Sequence, residues 1–163
     1  MRRHLFTLLA LSMIAFASMA DPVSVNLPGF QCTGMKQSVR LPKTLSLLRK
    51  LGKLNEEQTV HVQELDGYKA VEKLLRFNGL YVQVITFTND PERYNLAAVH
   101  VEAPGWSVSP IRIGGSVGDA LIPLGVVRPE PNTTWRFAGE SDSLYVEARG
   151  GKVFRVVYEC YTG

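Results

Sequence analysis

The stretch that decides the fold runs from Ile111 to Cys160. It reads IRIGGSVGDALIPLG at 111–125, TTWRFAG at 133–139 and SLYVEARGGKVFRVVYEC at 143–160. The glycines and Ser116, followed by apolar residues at helical spacing, predict a short helix that Ser116 caps. Pro123 should leave this helix short or distorted. The alternation that follows predicts three strands, the last of which places one set of side chains on a common face: Phe154, Val156, Tyr158 and Cys160.

A looser copy of this pattern lies upstream. A helix is predicted at Thr44–Leu51, with Thr44 as its cap and Gly52 after its end. Leu75-Arg76-Phe77 corresponds to Trp135-Arg136-Phe137. Leu80-Tyr81-Val82 corresponds in the same way to Leu144-Tyr145-Val146. The sequence therefore predicts two diverged helix-plus-three-strand repeats, at about 40–105 and 106–163.

The strands of both copies are joined by short turns. Tyr68–Phe77 fits a helix by spacing, but it runs directly into Asn78-Gly79, a dipeptide typical of β-hairpins. We therefore interpret it as a strand. Antiparallel strands of this kind pack one face on a core and turn the other toward water. The predicted fold class is α+β, an antiparallel sheet with short helices on one face.

Residues 1–20 have the pattern of a signal peptide. A basic start precedes an apolar run, Leu5–Phe16, and small residues at Ser18 and Ala20 predict cleavage before Asp21. The alternative is a membrane anchor, but the run is shorter than the roughly 20 residues that a spanning helix needs. We expect a periplasmic or secreted protein without an integral membrane span.

The remaining residues, 21–163, predict a single compact domain. The formal net charge of the 163-residue chain is +3, and removal of Arg2 and Arg3 would lower it by two. Such a balance gives no basic surface of the kind that binds nucleic acid or anionic lipid. We therefore expect no nucleic-acid partner.

Two cysteines, Cys32 and Cys160, are present. In an exported chain such a pair predicts a disulfide, although two separate thiols remain an alternative. The bond would link residues 21–40 to the last strand. This Pro- and Gly-rich segment is expected to be irregular. A loop of this length contributes roughly 4–5 kcal/mol in the chain-entropy model.

The segment Gly114–Gly118 fits the G-x-S-x-G pattern of serine hydrolases. Such a site needs a base that accepts the serine proton, and in hydrolases of that type the histidine follows the serine. Here His61 and His100 both precede Ser116. A helix cap is therefore the favoured role for Ser116, and a small serine hydrolase is the less favoured alternative.

The sequence gives little support for metal binding or for acid–base catalysis. No HExxH or CxxC motif is present, and both histidines are expected to be ordinary sheet residues. The acidic pairs Glu56–Glu57 and Glu140–Asp142 fall in segments predicted to be solvated turns. We predict no catalytic residue, no metal and no cofactor, and so no enzyme.

Aromatic and arginine side chains give the best binding signal, because such residues often anchor protein interfaces. Trp135 and Phe137 are expected to be core residues. Four arginines are expected to serve either as polar anchors or as part of a solvated sheet face: Arg76, Arg136, Arg149 and Arg155. The residues selected as binding candidates are Tyr81, Trp106, Tyr145, Arg149 and Tyr161.

The pattern resembles the tandem helix-plus-strands modules of the β-lactamase inhibitor protein, and also the single module of the small outer-membrane lipoprotein of the β-barrel assembly machinery. The matching segments are Ile113–Val117, Leu121, Leu124-Gly125, Trp135-Arg136-Phe137 and Gly151-Lys152-Val153. The first helix departs from it, because it lacks the Gly-Gly-Ser entry. The resemblance implies an inhibitory function.

The sequence thus predicts an exported protein-binding module, an inhibitor or immunity protein that acts on an envelope enzyme or effector. Its partner would be another protein. The alternative is an assembly or structural factor of the cell envelope.

Overall fold

The computed structural model describes residues 23–26, 41–108, 111–139 and 142–160. The predicted signal segment lies outside these residues, as do Cys32, Glu140 and Tyr161. The elements in chain order are β1 (Val23–Asn26), α1 (Leu45–Leu48), β2 (Glu56–Leu65), β3 (Tyr68–Phe77), β4 (Leu80–Phe87), β5 (Asp90–Val101), β6 (Ser107–Val108), β7 (Ile111–Arg112), α2 (Val117–Leu121), β8 (Thr134–Ala138), β9 (Asp142–Arg149) and β10 (Lys152–Cys160).

Eight of the strands form one sheet in the order β1-β8-β9-β10-β5-β4-β3-β2. All pairings are antiparallel except that of β1 with β8, which is parallel. β6 and β7 form a separate small hairpin. The predicted α+β class, an antiparallel sheet with short helices, is confirmed, although strands dominate it. β1 lies in a segment predicted to be irregular, where the two valines of VSVN favour an extended chain.

Both helices begin at the predicted caps. The Thr44 hydroxyl accepts a hydrogen bond from Leu47 N, but α1 ends at Leu48, earlier than predicted. The Ser116 hydroxyl accepts from Gly118 N at the start of α2. A 3₁₀ turn at Ile122–Leu124 follows α2 and contains Pro123. This agrees with the prediction that Pro123 leaves the helix short or distorted.

The hairpin between β3 and β4 is the one that Asn78-Gly79 predicted, and Tyr68–Phe77 is a strand. Gly79 has a φ of 69°, a left-handed conformation that glycine adopts without strain. A Cβ at this position would overlap the Cβ of Ala103. Only glycine therefore fits this turn.

One hydrophobic core lies between the sheet and the two helices. α1 contributes Leu45 and Leu48, and α2 contributes Val117 and Leu121. Trp135 and Phe137 are buried in the same core, as predicted. The sheet residues that are almost fully buried there include Leu75, Leu80, Val82, Val84, Val99, Val101, Leu144, Val146, Val156 and Tyr158. Both helices therefore cover the same face of the sheet.

A β-bulge changes the expected facing of β10. The register with β9 shifts between Val153 and Arg155, so one residue is added and the alternation is interrupted. Val153 is 1% exposed and joins the core, whereas Phe154 is 43% exposed. The prediction that Phe154 shares a face with Val156, Tyr158 and Cys160 was wrong for Phe154, because simple alternation cannot anticipate a bulge.

The acidic pairs also differ from their predicted turns. Glu56 and Glu57 are the first two residues of β2 and do not lie in a turn. Asp142 begins β9 and is 6% exposed, and the Tyr158 hydroxyl donates a 2.6 Å hydrogen bond to its carboxylate. This donor satisfies Oδ2, whereas Oδ1 is buried without a hydrogen-bond partner among the described residues.

The same register recurs on both sides of the sheet centre. Leu75 pairs with Val82, Arg76 with Tyr81 and Phe77 with Leu80. Trp135 pairs with Val146, Arg136 with Tyr145 and Phe137 with Leu144. β3 and β4 therefore pair at these positions in the same register as β8 and β9. At the centre, β5 and β10 pair with His100 opposite Val157.

Candidate binding surface

The face of the sheet opposite the two helices is the candidate surface, and we call it the outer face. Its side chains alternate with the core residues most regularly along β4, β8 and β9. In β4, for example, Leu80, Val82 and Val84 are buried, whereas Tyr81, Gln83 and Ile85 are partly exposed. β9 repeats this alternation, with Ser143, Tyr145 and Glu147 partly exposed. The outer face therefore carries mainly polar and aromatic side chains, with a few aliphatic ones such as Ile85.

A row of six residues crosses the outer face, one from each of six adjacent strands. Their pairings follow the register step by step. The row consists of Arg76, Tyr81, His100, Val157, Tyr145 and Arg136, and we call it the Arg–Tyr row. Read from either end it begins Arg, Tyr. With neighbouring strands about 4.8 Å apart, the two arginines lie roughly 24 Å from each other.

The aromatic members of the row contact their neighbours. The rings of Tyr81 and His100 have centroids 6.5 Å apart. The guanidinium carbon of Arg136 lies 5.7 Å from the centroid of the Tyr145 ring, within the range of a cation–π contact. Two of the predicted binding residues, Tyr81 and Tyr145, therefore lie on one surface at equivalent places.

Beside the centre of the row is an open depression of about 260 Å³. Its lining comes from β5, β8, β9 and β10 and includes His100, Tyr145 and Arg155. Burial lowers the pKa of His100 below its usual value, and the charge of Arg155 lowers it further, while Glu159 and Glu102 act in the opposite direction. The imidazole is thus favoured in its neutral form.

Arg149, another predicted binding residue, lies at the end of β9. Its guanidinium lies 3.8 Å from the centroid of the Phe154 ring and donates to Glu147 Oε1 from Nη2 at 2.6 Å. Arg155 Nε lies 3.1 Å from the other oxygen of Glu147. One carboxylate thus pairs with two arginines at this end of the outer face, which leaves one positive charge in excess.

Trp106 is not on this surface. Its ring packs against Phe77, with centroids 6.4 Å apart, and joins the core beneath the helices. Its Nε1 donates to the Asn78 carbonyl at 2.9 Å. Trp106 therefore fixes the β3–β4 turn, while Tyr161 lies outside the described residues.

Arg76 and Arg136 were predicted either as polar anchors or as part of a solvated sheet face, but neither they nor His100 were selected as binding candidates. The signal was present in the repeated Arg-Phe and Leu-Tyr segments, whose correspondence places each arginine beside a tyrosine. His100 had no such signal, because its place at the centre depends on the pairing of β5 with β10. That pairing joins strands far apart in the sequence.

The other chemical candidates lie apart from one another. Ser116 caps α2 and forms no hydrogen bond to a histidine in the described residues. His61 lies in exposed β2, opposite Glu72, whereas His100 lies in β5. Within the described ranges, no three His, Cys, Asp or Glu residues are grouped in a way that could hold a metal ion.

Comparison with known protein families, with characterised proteins and with solved structures finds no match to this chain. Among the residues that the structure places, no helix has the length and apolar character needed to span a membrane.

Proposed function

We propose that this chain is an exported protein-binding module that uses the outer face of its sheet to hold another protein. The observation that carries the proposal is the Arg–Tyr row, which brings two tyrosines and two arginines onto one continuous surface. Tyrosine and arginine are enriched among residues that dominate binding energy at protein interfaces.

The shape of the surface supports a macromolecular partner. Pockets for small molecules usually enclose about 300–1,000 Å³, whereas the depression beside His100 is about 260 Å³ and open. The row instead extends across six strands. A surface of that extent suits a partner of comparable size.

We further propose that the two halves are diverged repeats, about 40–105 and 106–163. The equivalent registers of β3 with β4 and of β8 with β9 support this interpretation. The first half has an additional strand, β2, whereas β1 takes the corresponding edge place beside β8. In this view duplication produced the Arg, Tyr order found at both ends of the row.

The concrete form of the proposal is a periplasmic or secreted inhibitor or immunity protein directed at an envelope enzyme or effector. The signal-like segment at 1–20, the resemblance noted in the sequence and the Cys32–Cys160 pair support this form. It makes the partner a protein that meets the chain outside the cytoplasm.

The test is a comparison of three immobilised proteins in pull-downs from envelope extract and from secreted proteins. They are the wild type, the double variant Tyr81→Ser/Tyr145→Ser, and the control Val127→Ser. Val127 is 88% exposed in the loop after α2 and lies outside the row. We expect a protein captured by the wild type and the control but lost from the double variant.

Each protein should first show the same cooperative unfolding, so that a loss of capture reports on the surface. A partner that is retained by the double variant would contradict the outer face as the binding site. A deletion strain with permeability defects, and with unchanged resistance to every toxin tried, would favour an envelope assembly factor instead.

A further inference from the structure

The ion pair between Arg76 and Glu56 indicates which ligand the arginines of the row accept. Glu56 in β2 is directly opposite Arg76 in β3, and its Oε2 lies 3.4 Å from Arg76 Nε. Both side chains are about half exposed on the outer face. In the first half, therefore, the chain itself supplies a carboxylate to the arginine at the end of the row.

Arg136 occupies the equivalent place at the other end of the row, and there the described residues supply no carboxylate. Its register partner in β1 is Ser24, a residue type without a carboxylate. Within the described residues Arg136 takes part in no ion pair. Its side-chain hydrogen bond runs from Nη2 to Ser143 Oγ at 3.4 Å. Its Nε is buried without a hydrogen-bond acceptor, as is that of Arg76, so this atom does not distinguish the two arginines, whereas the ion pair of Arg76 does.

Two other arginines of the outer face differ from Arg136 in this respect. Arg149 and Arg155 both pair with Glu147. Arg136 is held against the ring of Tyr145 without an ion pair in the described chain. In this it resembles Arg93, which lies over the ring of Phe87 outside the row. A planar guanidinium held in this way matches the two oxygens of a carboxylate.

We propose that Arg136, positioned by Tyr145 and Ser143, is the anchor for an aspartate or glutamate side chain of the partner protein. The incoming carboxylate would play the part that Glu56 plays for Arg76. The assignment to a protein partner rests on the proposed function, but the carboxylate site itself can be tested alone.

The test uses the ¹⁵N-labelled protein and the Nε–Hε signals of its arginines, followed by NMR. The ligand is N-acetyl-glutamate amide, which has one side-chain carboxylate, and the matched control is N-acetyl-glutamine amide at equal ionic strength. We expect a saturable shift of the Arg136 signal with the glutamate compound alone. Arg112 is exposed on β7 away from the row. Its signal should indicate binding of the glutamate compound at least tenfold weaker than that at Arg136.

A variant of Glu56 tests the role of the internal carboxylate. In the wild type the Arg76 signal should respond at least tenfold more weakly than that of Arg136. In Glu56→Gln it should gain a saturable response within about threefold of that of Arg136, because its own carboxylate has been removed. This variant changes an exposed side chain, so folding should be retained.

Three results would overturn the proposal. In the first, the Arg136 signal responds to the glutamate compound no more strongly than the Arg112 signal. In the second, the Arg76 signal of the wild type responds as strongly as the Arg136 signal. In the third, inorganic phosphate binds at Arg136 as tightly as the glutamate compound. If NMR shows the expected binding at Arg136 but the pull-downs capture no protein, the carboxylate site is supported and the proposed protein-binding function is contradicted.

Discussion

Asp142 and Tyr158 form a hydrogen bond between two side chains that are almost completely buried. Tyr158 is 0% exposed and Asp142 is 6% exposed. Burial raises the pKa of Tyr158, and the hydrogen bond to Asp142 raises it further. The phenol therefore remains a donor throughout the ordinary pH range, and the charge of Asp142 is stabilised by it.

Replacement of Tyr158 by phenylalanine should lower the free energy of unfolding by about 1.5–3 kcal/mol, because a buried carboxylate loses a donor. Urea unfolding at neutral pH measures this loss. The matched control is Tyr81→Phe on the outer face, where the hydroxyl has no protein hydrogen bond within the described chain. An equal loss of unfolding free energy in both variants would show that the buried hydrogen bond contributes no more to stability than the hydroxyl of Tyr81.

Glu57 bridges two cations beneath α1. It accepts 2.8 Å hydrogen bonds from Arg49 and a 2.7 Å bond from Lys73. The Arg49 guanidinium above all, together with Lys73, lowers the pKa of Glu57 to about 2. This pKa is below the unfolded value of 4.5, so the ionised carboxylate stabilises the fold above pH 4.5, and the stabilisation is lost as the pH falls to about 2.

Glu57→Gln should therefore lower stability by about 1 kcal/mol at pH 7. The difference from the wild type should diminish as the pH falls from 4.5 to 2, which thermal unfolding over a pH series would measure. Glu64→Gln serves as the control, because the Glu64–Lys69 pair is much more exposed and its loss should cost less than about 0.5 kcal/mol. A difference that stays constant with pH would contradict the assigned role.

At the scale of elements, the turn between β3 and β4 depends on Gly79. Gly79→Ala should lower the free energy of unfolding by more than about 2 kcal/mol, because the positive φ is strained and the new Cβ meets Ala103. Chemical denaturation would measure it. Gly67→Ala is the control, since its φ is also positive but no atom lies within 4 Å of the new Cβ. If both variants lose the same stability, the contact with Ala103 is unimportant.

The elements were predictable from the sequence where local pattern decides them. Asn78-Gly79 fixes a hairpin, and Ser116 and Pro123 fix the beginning and the end of α2. The bulge at Phe154 and the burial of Asp142 were not predictable, because each depends on a partner strand. The same reason applies to the outer face, where the place of His100 depends on the pairing of β5 with β10.

At the scale of the whole molecule, the two halves meet through β5 and β10 and share one core. The Cys32–Cys160 disulfide, which would add a covalent link, stays a prediction. Cys160 is 9% exposed at the end of β10, and the described part of the chain contains no free cysteine.

Reduction of the protein should lower its free energy of unfolding by roughly 2–5 kcal/mol if the disulfide is present. Urea unfolding with and without a reductant measures this change, and the Cys32→Ser/Cys160→Ser variant should show no effect of the reductant. The native protein should also resist alkylation until it is reduced. Alkylation of both thiols without reduction would disprove the link.

The place of β10 between β9 and β5 has a consequence for synthesis of the protein. During translation, the edge of β5 that pairs with β10 has no hydrogen-bonding partner until β10 has been synthesised. Unpaired strand edges of this kind promote aggregation. The nascent chain should therefore need chaperone protection until its final strand has emerged. For the same reason, the first half produced alone should be prone to aggregate.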